Sequence, residues 1–207
     1  MRRLLATTLV VIGTSTTAQQ DHFVLGSLGY SSISFNEIRG SAEVYTGGFG
    51  YYGFFENGLH LGVHVGYDYG EGLDCSFFPC QDAILEKTDI GLDLGFKIGQ
   101  FTPFVSVYSS NPVWDTTEIL RSFGFEREEE VKDYGIGTWV GGGDVMPNLW
   151  FRFSADGFEK DKGLERTITG MGIYRLTRNL MVGGKFSLFI ADEDHGSKTA
   201  FMLGWRF

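Results

Sequence analysis

Cysteine, proline and positive charge are all scarce in this chain of 207 residues. Two cysteines are too few for a disulfide scaffold or a four-cysteine zinc site. The 17 Lys and Arg against 26 Asp and Glu give a net charge of −9, and this excess of acid argues against a nucleic-acid partner. No apolar run approaches the length of about 18 residues that a membrane-spanning helix needs.

Glycine and aromatic residues are abundant instead. The chain contains 30 Gly, 19 Phe, 9 Tyr and 4 Trp, but only 4 Pro. This composition indicates strands joined by tight turns. Because nothing along the chain has the composition of an interdomain linker or a low-complexity tract, we predict a single domain.

The N-terminus has the pattern of an export signal. Two arginines precede an apolar stretch, and small polar residues follow it up to Ala18, with no cysteine of the kind that marks a lipoprotein. We therefore predict a signal peptide over residues 1–18 and a mature domain over residues 19–207.

The strongest pattern in the mature chain is alternation with a period of two. Over residues 59–70, Leu, Val and Tyr at odd positions alternate with His, Gly and Asp at even positions, and residues 89–99 repeat the pattern. Such alternation is typical of a strand with two different faces. The predicted strands lie near residues 22–33, 42–55, 59–70, 87–99, 102–110, 131–143, 148–158, 165–176, 179–190 and 198–207. Short and long connections alternate between them, and Asn57-Gly58 is a strong hairpin signal.

The composition of the two faces indicates which one is enclosed. The less apolar face is mostly Gly, with Ser, Asp and His, whereas a secreted lipocalin-like barrel would have an apolar interior and a charged exterior. A bulky apolar face suits lipid, where every backbone polar group must be paired and strands can cross only as a closed barrel. We predict an all-β, up-and-down, antiparallel transmembrane β-barrel of about ten strands, with eight as the alternative.

The C-terminal strand resembles a known family. Residues 199–207 alternate and end on an aromatic residue. The outward-facing set of this strand is Phe201, Leu203, Trp205 and Phe207. The segment resembles the terminal strand of small Gram-negative outer-membrane β-barrels of the OmpA and OmpX type, and residues 102–108 and 170–186 are similar to other strands of that superfamily.

The resemblance implies a location and partners. Its members reside in the outer membrane, in contact with its lipid and lipopolysaccharide, and the barrel-assembly machinery reads their terminal strand. Short turns are then periplasmic and long loops external, with a monomer favoured. Tyr67, Tyr69 and Tyr134 are placed at an outer aromatic girdle, and Trp205 and Phe207 at an inner one.

Charged and polar residues on the small-residue face predict a network in the lumen. The predicted members are His60, His64, Asp68, Asp89, Asp93, Lys97, Arg152, Asp156, Lys185 and Arg206. Enclosed acids and bases are expected to pair because an unpaired charge there is costly. Barrels of this size are nearly filled by side chains, so we expect at most a narrow pore. His60 and His64 lie roughly 13 Å apart along a strand, too far to share a zinc ion, and we expect no metal and no cofactor.

Two further candidates lie in long loops. In an exported chain the oxidising surroundings favour a disulfide between Cys75 and Cys80, with a reactive cysteine pair as the alternative. The acidic run over residues 126–130 is expected to be a solvated loop or a strand extension, or alternatively to bridge lipopolysaccharide through divalent cations.

His195-Gly196-Ser197 is the stretch most suggestive of catalysis. It is similar to the His-x-Ser motif of lipid A deacylases, although residues 198–207 contain no Asp or Glu that could orient the histidine. A polar hairpin tip is the alternative. We predict a non-enzymatic barrel with a structural or surface-interaction role. The alternatives are a narrow channel for small polar solutes and an outer-rim lipid hydrolase using His195 and Ser197.

Overall fold

The computed structural model describes residues 21–35, 40–74, 81–115, 127–128, 131–142, 146–158, 166–190 and 195–207. Its strands are β1 (Asp21–Phe35), β2 (Gly40–Phe54), β3 (Leu59–Asp74), β4 (Gln81–Phe96), β5 (Phe101–Asp115), β6 (Arg127–Glu128), β7 (Val131–Gly141), β8 (Leu149–Asp156), β9 (Arg166–Arg175), β10 (Leu180–Ile190) and β11 (His195–Arg206). Within the described part of the chain, no helix is long and apolar enough to cross a membrane.

The ten long strands form one closed antiparallel sheet. Each pairs with its sequence neighbours, β5 pairs directly with β7, and β1 pairs with β11, where Phe23 lies opposite Arg206. The two-residue strand β6 pairs with the C-terminal end of β5, at Val113 and Trp114. The predicted up-and-down antiparallel barrel is confirmed, with ten strands in the ring and not eight.

Tight turns join the strands at one end of the barrel, which we call the short-turn end. Gly58 has a positive φ of 84°, and a side chain there would also meet the ring of Phe96, so the hairpin between β2 and β3 needs glycine. At the opposite end, the loop end, β3 and β5 run four and five residues beyond their predicted bounds of 70 and 110, to Asp74 and Asp115. Backbone pairing continues there through mixed residues such as Val113 and Trp114, which are adjacent apolar residues and so break the alternation.

The outward face of the barrel is bulky, apolar and exposed. Leu28 is 76% exposed and Phe49 71%, which is unusual for residues this apolar in a folded protein. Other members of this outer belt are Val63, Val65, Ile90, Leu92, Leu94, Val105, Val107, Ile136, Phe153, Ile168, Phe186, Leu188, Phe201 and Leu203. The predicted orientation, with the apolar face on the outside of the barrel, is confirmed.

The inward face carries a hydrophobic core that the sequence did not predict. We call it the lumen plug, and it consists of Phe23, Leu25, Tyr52, Phe104, Trp139, Trp150, Met171, Ile173, Met181 and Met202. Most members lie within a few residues of the short-turn end, as Phe23, Trp150 and Met181 do near the starts of their strands. Ring packing holds the plug together, since the rings of Tyr52 and Trp139 are edge-to-face with centroids 5.0 Å apart.

Candidate functional site

The lumen has two layers, an apolar one at the short-turn end and a polar one towards the loop end. The inward-facing polar residues above the plug come from strands on all sides of the barrel. Buried members of this layer are Ser31, Thr46, Asp68, Asp93, Ser106, Ser110, Asp133, Arg152, Ser154, Thr169 and Ser187. Because polar side chains enclosed this way need partners, their pairing defines what the lumen can do.

An ion pair between β4 and β8 crosses the lumen directly above the plug. The guanidinium of Arg152 donates to both carboxylate oxygens of Asp93, the shortest contact being 3.0 Å. Arg152 also donates to Ser154 Oγ at 2.9 Å and lies 4.6 Å from the centroid of the Phe104 ring. Asp93 is completely buried, and among the described residues Arg152 is the cation that forms an ion pair with it.

Asp156 belongs to the same cluster and is held by hydroxyl groups. Ser106 Oγ donates to one of its carboxylate oxygens at 3.0 Å, and Ser154 Oγ donates to the other at 3.3 Å. Ser154 therefore links the carboxylate of Asp156 to the guanidinium of Arg152. Together these contacts join β4, β5 and β8 across the width of the barrel.

A second ion pair lies closer to the loop end. Lys198 Nζ on β11 donates to both oxygens of Asp68 on β3, at 2.6 and 2.9 Å. Asp68 is a predicted lumen residue, whereas Lys198 was not predicted. Lys198 is inward by alternation, since it lies an even number of residues before Arg206, and counting back along β11 would have found it.

Two predicted cationic members lie at the short-turn end. Arg206 on β11 pairs with Asp21 on β1, which the prediction did not include. The prediction that Lys97 faces the lumen is wrong, because its side chain is exposed and the residue lies just beyond the end of β4. Its backbone N–H donates to Gly58 O at 2.7 Å in the neighbouring turn, where strand alternation no longer fixes side-chain direction.

The two histidines occupy different layers. His60 is buried beside the plug, where its ring stacks on Phe54 and its Nδ1 lies 3.1 Å from Gly53 O. His64 fills space over Gly91, since a side chain at that glycine would overlap the imidazole. Among the described residues, no group of three or more His, Cys, Asp or Glu is arranged to hold a metal ion.

The remaining charged members face the polar layer. Lys87, which was not predicted, lies 3.4 Å from Asp89 on the same strand. Lys185 on β10 shares the inward face with the buried residues Met181 and Ser187.

Several predicted features lie outside the described residues. They are the signal peptide over 1–18, Cys75 and Cys80, and residues 126, 129 and 130 of the acidic run, whose other two residues form β6. Of the catalytic candidates, the side chain of His195 is also outside the described part. The backbone carbonyl of Ser197 accepts a hydrogen bond from Ser31 Oγ at 3.1 Å.

Exposed aromatic residues lie at both ends of the outer belt. Tyr67, Tyr69 and Tyr134 lie in the half of the barrel towards the loops, and Trp205 and Phe207 lie at the short-turn end, all of them exposed. An apolar band between two aromatic rows is the outer surface typical of transmembrane barrels.

Comparison with known proteins yields likenesses in structure only. No family model matches the sequence, and no curated protein matches it. The chain is similar to an outer-membrane channel from Pseudomonas putida F1, with 9% identity, a TM-score of 0.49 and coverage of 96% of this chain and 100% of that one.

Two other solved structures are similar to the same extent. The translocator domain of the autotransporter NalP from Neisseria meningitidis has 7% identity and a TM-score of 0.48, covering 93% of this chain and 90% of that one. Ail, the attachment invasion locus protein of Yersinia pestis, has 8% identity and a TM-score of 0.47, covering 92% of this chain and 100% of that one. At such low identities and TM-scores, the function has to be inferred from the geometry of the chain itself.

Proposed function

We propose that the chain is an integral outer-membrane β-barrel protein with a closed lumen and no enzymatic activity. In this proposal it acts as a structural component of the envelope or presents its long loops for contacts at the surface. It is exported by the signal peptide over residues 1–18 and inserted by the barrel-assembly machinery, which reads Phe207 and the strand before it. Outer-membrane lipid and lipopolysaccharide surround it as a monomer.

The observation that carries the proposal is the outer belt. A continuous ring of exposed Leu, Val, Ile and Phe is unfavourable in water but favourable in contact with lipid acyl chains. The closed sheet also leaves no unpaired strand edge to face lipid. The polar atoms, by contrast, are gathered in the lumen around pairs such as Asp93 with Arg152. A water-soluble barrel would have the opposite arrangement.

Tryptophan fluorescence in brominated lipid tests the proposal. Trp205 is 52% exposed on the outer belt, whereas Trp139 is 1% exposed in the plug. We expect brominated acyl chains to quench a substantial part of the emission, and Trp205→Phe to remove most of that quenched component. Trp139→Phe is the matched control and should leave the quenched component in place. Equal quenching in all three proteins, or a parent chain that stays monodisperse in plain buffer, would contradict the membrane assignment.

A narrow channel for small polar solutes is the second candidate, favoured by the polar layer of the lumen. Its water-accessible side chains, such as Asp89 and Lys87, are 26% and 31% exposed towards the inside. The plug opposes this candidate because it fills the lumen at the short-turn end. Planar-bilayer recordings separate the two, since the closed barrel is expected to show no steady single-channel current.

A further inference from the structure

Lys185 differs from the other cations of the polar layer in its partners. Lys198 is bound to Asp68 and Arg152 to Asp93, at ion-pair distances of 2.6 and 3.0 Å. Lys185 takes part in no ion pair and no hydrogen bond with any described residue. The charged groups that act on it electrostatically are Lys198, Arg152, Asp89 and Asp68, none of them within ion-pair distance.

The wall around Lys185 is built from small residues. Lys185 lies opposite Ala200 of β11, and Ala200 lies opposite Gly29 of β1. The inward residues at this depth of β1, β2, β3, β10 and β11 carry small side chains, and they are Ser27, Gly29, Gly48, Gly66, Gly183 and Ala200. Lys185 is only partly buried although it faces inward, so its exposed part borders space within the lumen. We call this space the lumen chamber.

The chamber has a floor. The plug lies between it and the short-turn end, with the ion pair of Asp93 and Arg152 on top of the plug. The plug therefore closes the lumen chamber towards the short-turn end. This geometry suits binding better than passage.

We propose that the lumen chamber binds a small oxyanion of the carboxylate or phosphate class, with the ammonium group of Lys185 as its principal contact. An enclosed ammonium without a partner is costly, and a charge-assisted hydrogen bond from an anion removes that cost. Asp89 and Asp68 are already bound to Lys87 and Lys198 and would have to break those pairs to replace the anion.

Anion titration of the folded protein in detergent micelles tests the proposal. Inorganic phosphate and acetate are titrated separately at constant ionic strength, with the unfolding temperature and the heat of binding as readouts. In the parent chain we expect a saturable rise in unfolding temperature with at least one of the two anions. Stronger binding of phosphate assigns the site to phosphate-class ligands, and stronger binding of acetate assigns it to carboxylates.

Two variants remove the site and one serves as a control. Lys185→Met keeps the length of the side chain without its charge, and we expect it to weaken binding at least tenfold. Gly66→Leu fills the chamber from the wall opposite, where the nearest atom to an added Cβ belongs to Asp89 at 3.7 Å, and should weaken binding similarly. Lys97→Met removes an exposed cation at the short-turn end and should bind as the parent does.

A measurement without added anion makes the outcome decisive. In anion-free buffer, Lys185→Met should be at least as stable as the parent, because it removes a charge that has no partner. The proposal is overturned if Lys185→Met binds within twofold of the parent, if the parent binds neither anion, or if Lys185→Met is clearly less stable without anion. The last result would mean that a lumen carboxylate already neutralises Lys185.

Discussion

At the scale of single residues, the enclosed charges decide how the lumen is organised. Asp93 is completely buried and accepts three hydrogen bonds from one arginine that reaches it from across the barrel. Such a pair contributes little net stability compared with an apolar pair, because desolvation offsets the attraction. Its loss is costly all the same, since either partner alone is an unpaired charge in a dry environment.

Arg152→Met should therefore destabilise the barrel by about 3–5 kcal/mol. The expected cost comes from the stranded carboxylate of Asp93 and from lost packing on Phe104, whose ring lies 4.6 Å from the guanidinium. Urea unfolding in lipid vesicles measures it. The double variant Asp93→Asn with Arg152→Met should recover most of the loss, and a double-mutant cycle gives the coupling between the two sites. Additive effects of the two changes would show that the pair does not act as a unit.

At the scale of the strand, alternation predicts most of the architecture because the two faces of β3 and β4 differ clearly. Leu61, Val63 and Val65 are all apolar, while the residues between them are His or Gly. On β1, β2, β5 and β8 both faces carry aromatic or apolar residues, such as Phe104 inside and Val105 outside. The plug could not be predicted for that reason. Partners across the barrel, such as Arg152 for Asp93, depend on strand register and strand number, which the sequence does not specify.

Substitution on the outer face of β3 tests depth in the membrane. Val63 lies on the outer belt and is 38% exposed, and Val63→Arg places a charge in hydrocarbon at an expected cost of about 2–4 kcal/mol. Tyr69→Arg, on the same face but in the aromatic row nearer the loops, should cost only about 0–1 kcal/mol. Unfolding free energies in bilayers provide the comparison. Equal costs at the two depths would be inconsistent with a bilayer around β3.

The inner face of the same strand provides the complementary control. An added side chain at Gly62 would meet Asp93 at 3.1 Å and Tyr52 at 3.2 Å, so Gly62→Leu should destabilise by overpacking, typically by about 1–3 kcal/mol. Because Gly62 and Val63 are adjacent, the two variants test opposite faces of β3 at nearly the same depth. If both were neutral, the orientation of the strand would have to be reversed.

At the scale of the whole molecule, the closed ring and the plug play different parts. The closed ring of strands pairs the backbone N–H and C=O groups that would otherwise face lipid. These hydrogen bonds come from the strand pairs alone, which run from β1 with β2 round to β1 with β11. The plug packs the rings of Phe23, Tyr52 and Trp139 across the inside and adds core burial that a hollow barrel lacks. A barrel of ten strands is narrow enough for side chains to fill it, and here they do so at one end.

Emptying the plug should therefore open the barrel without dismantling it. Trp139 contacts the rings of Phe23, Tyr52, Phe54 and His60, and Trp139→Ala should cost about 3–5 kcal/mol while leaving the strand ladder intact. Planar-bilayer recordings should show no steady current for the parent and discrete openings for Trp139→Ala. Phe153→Ala, a large aromatic truncated on the outer face of β8, is the matched control and should stay closed. A parent chain that conducts as readily as Trp139→Ala would mean that the plug does not seal the lumen, and the narrow-channel function would then replace the closed-barrel one.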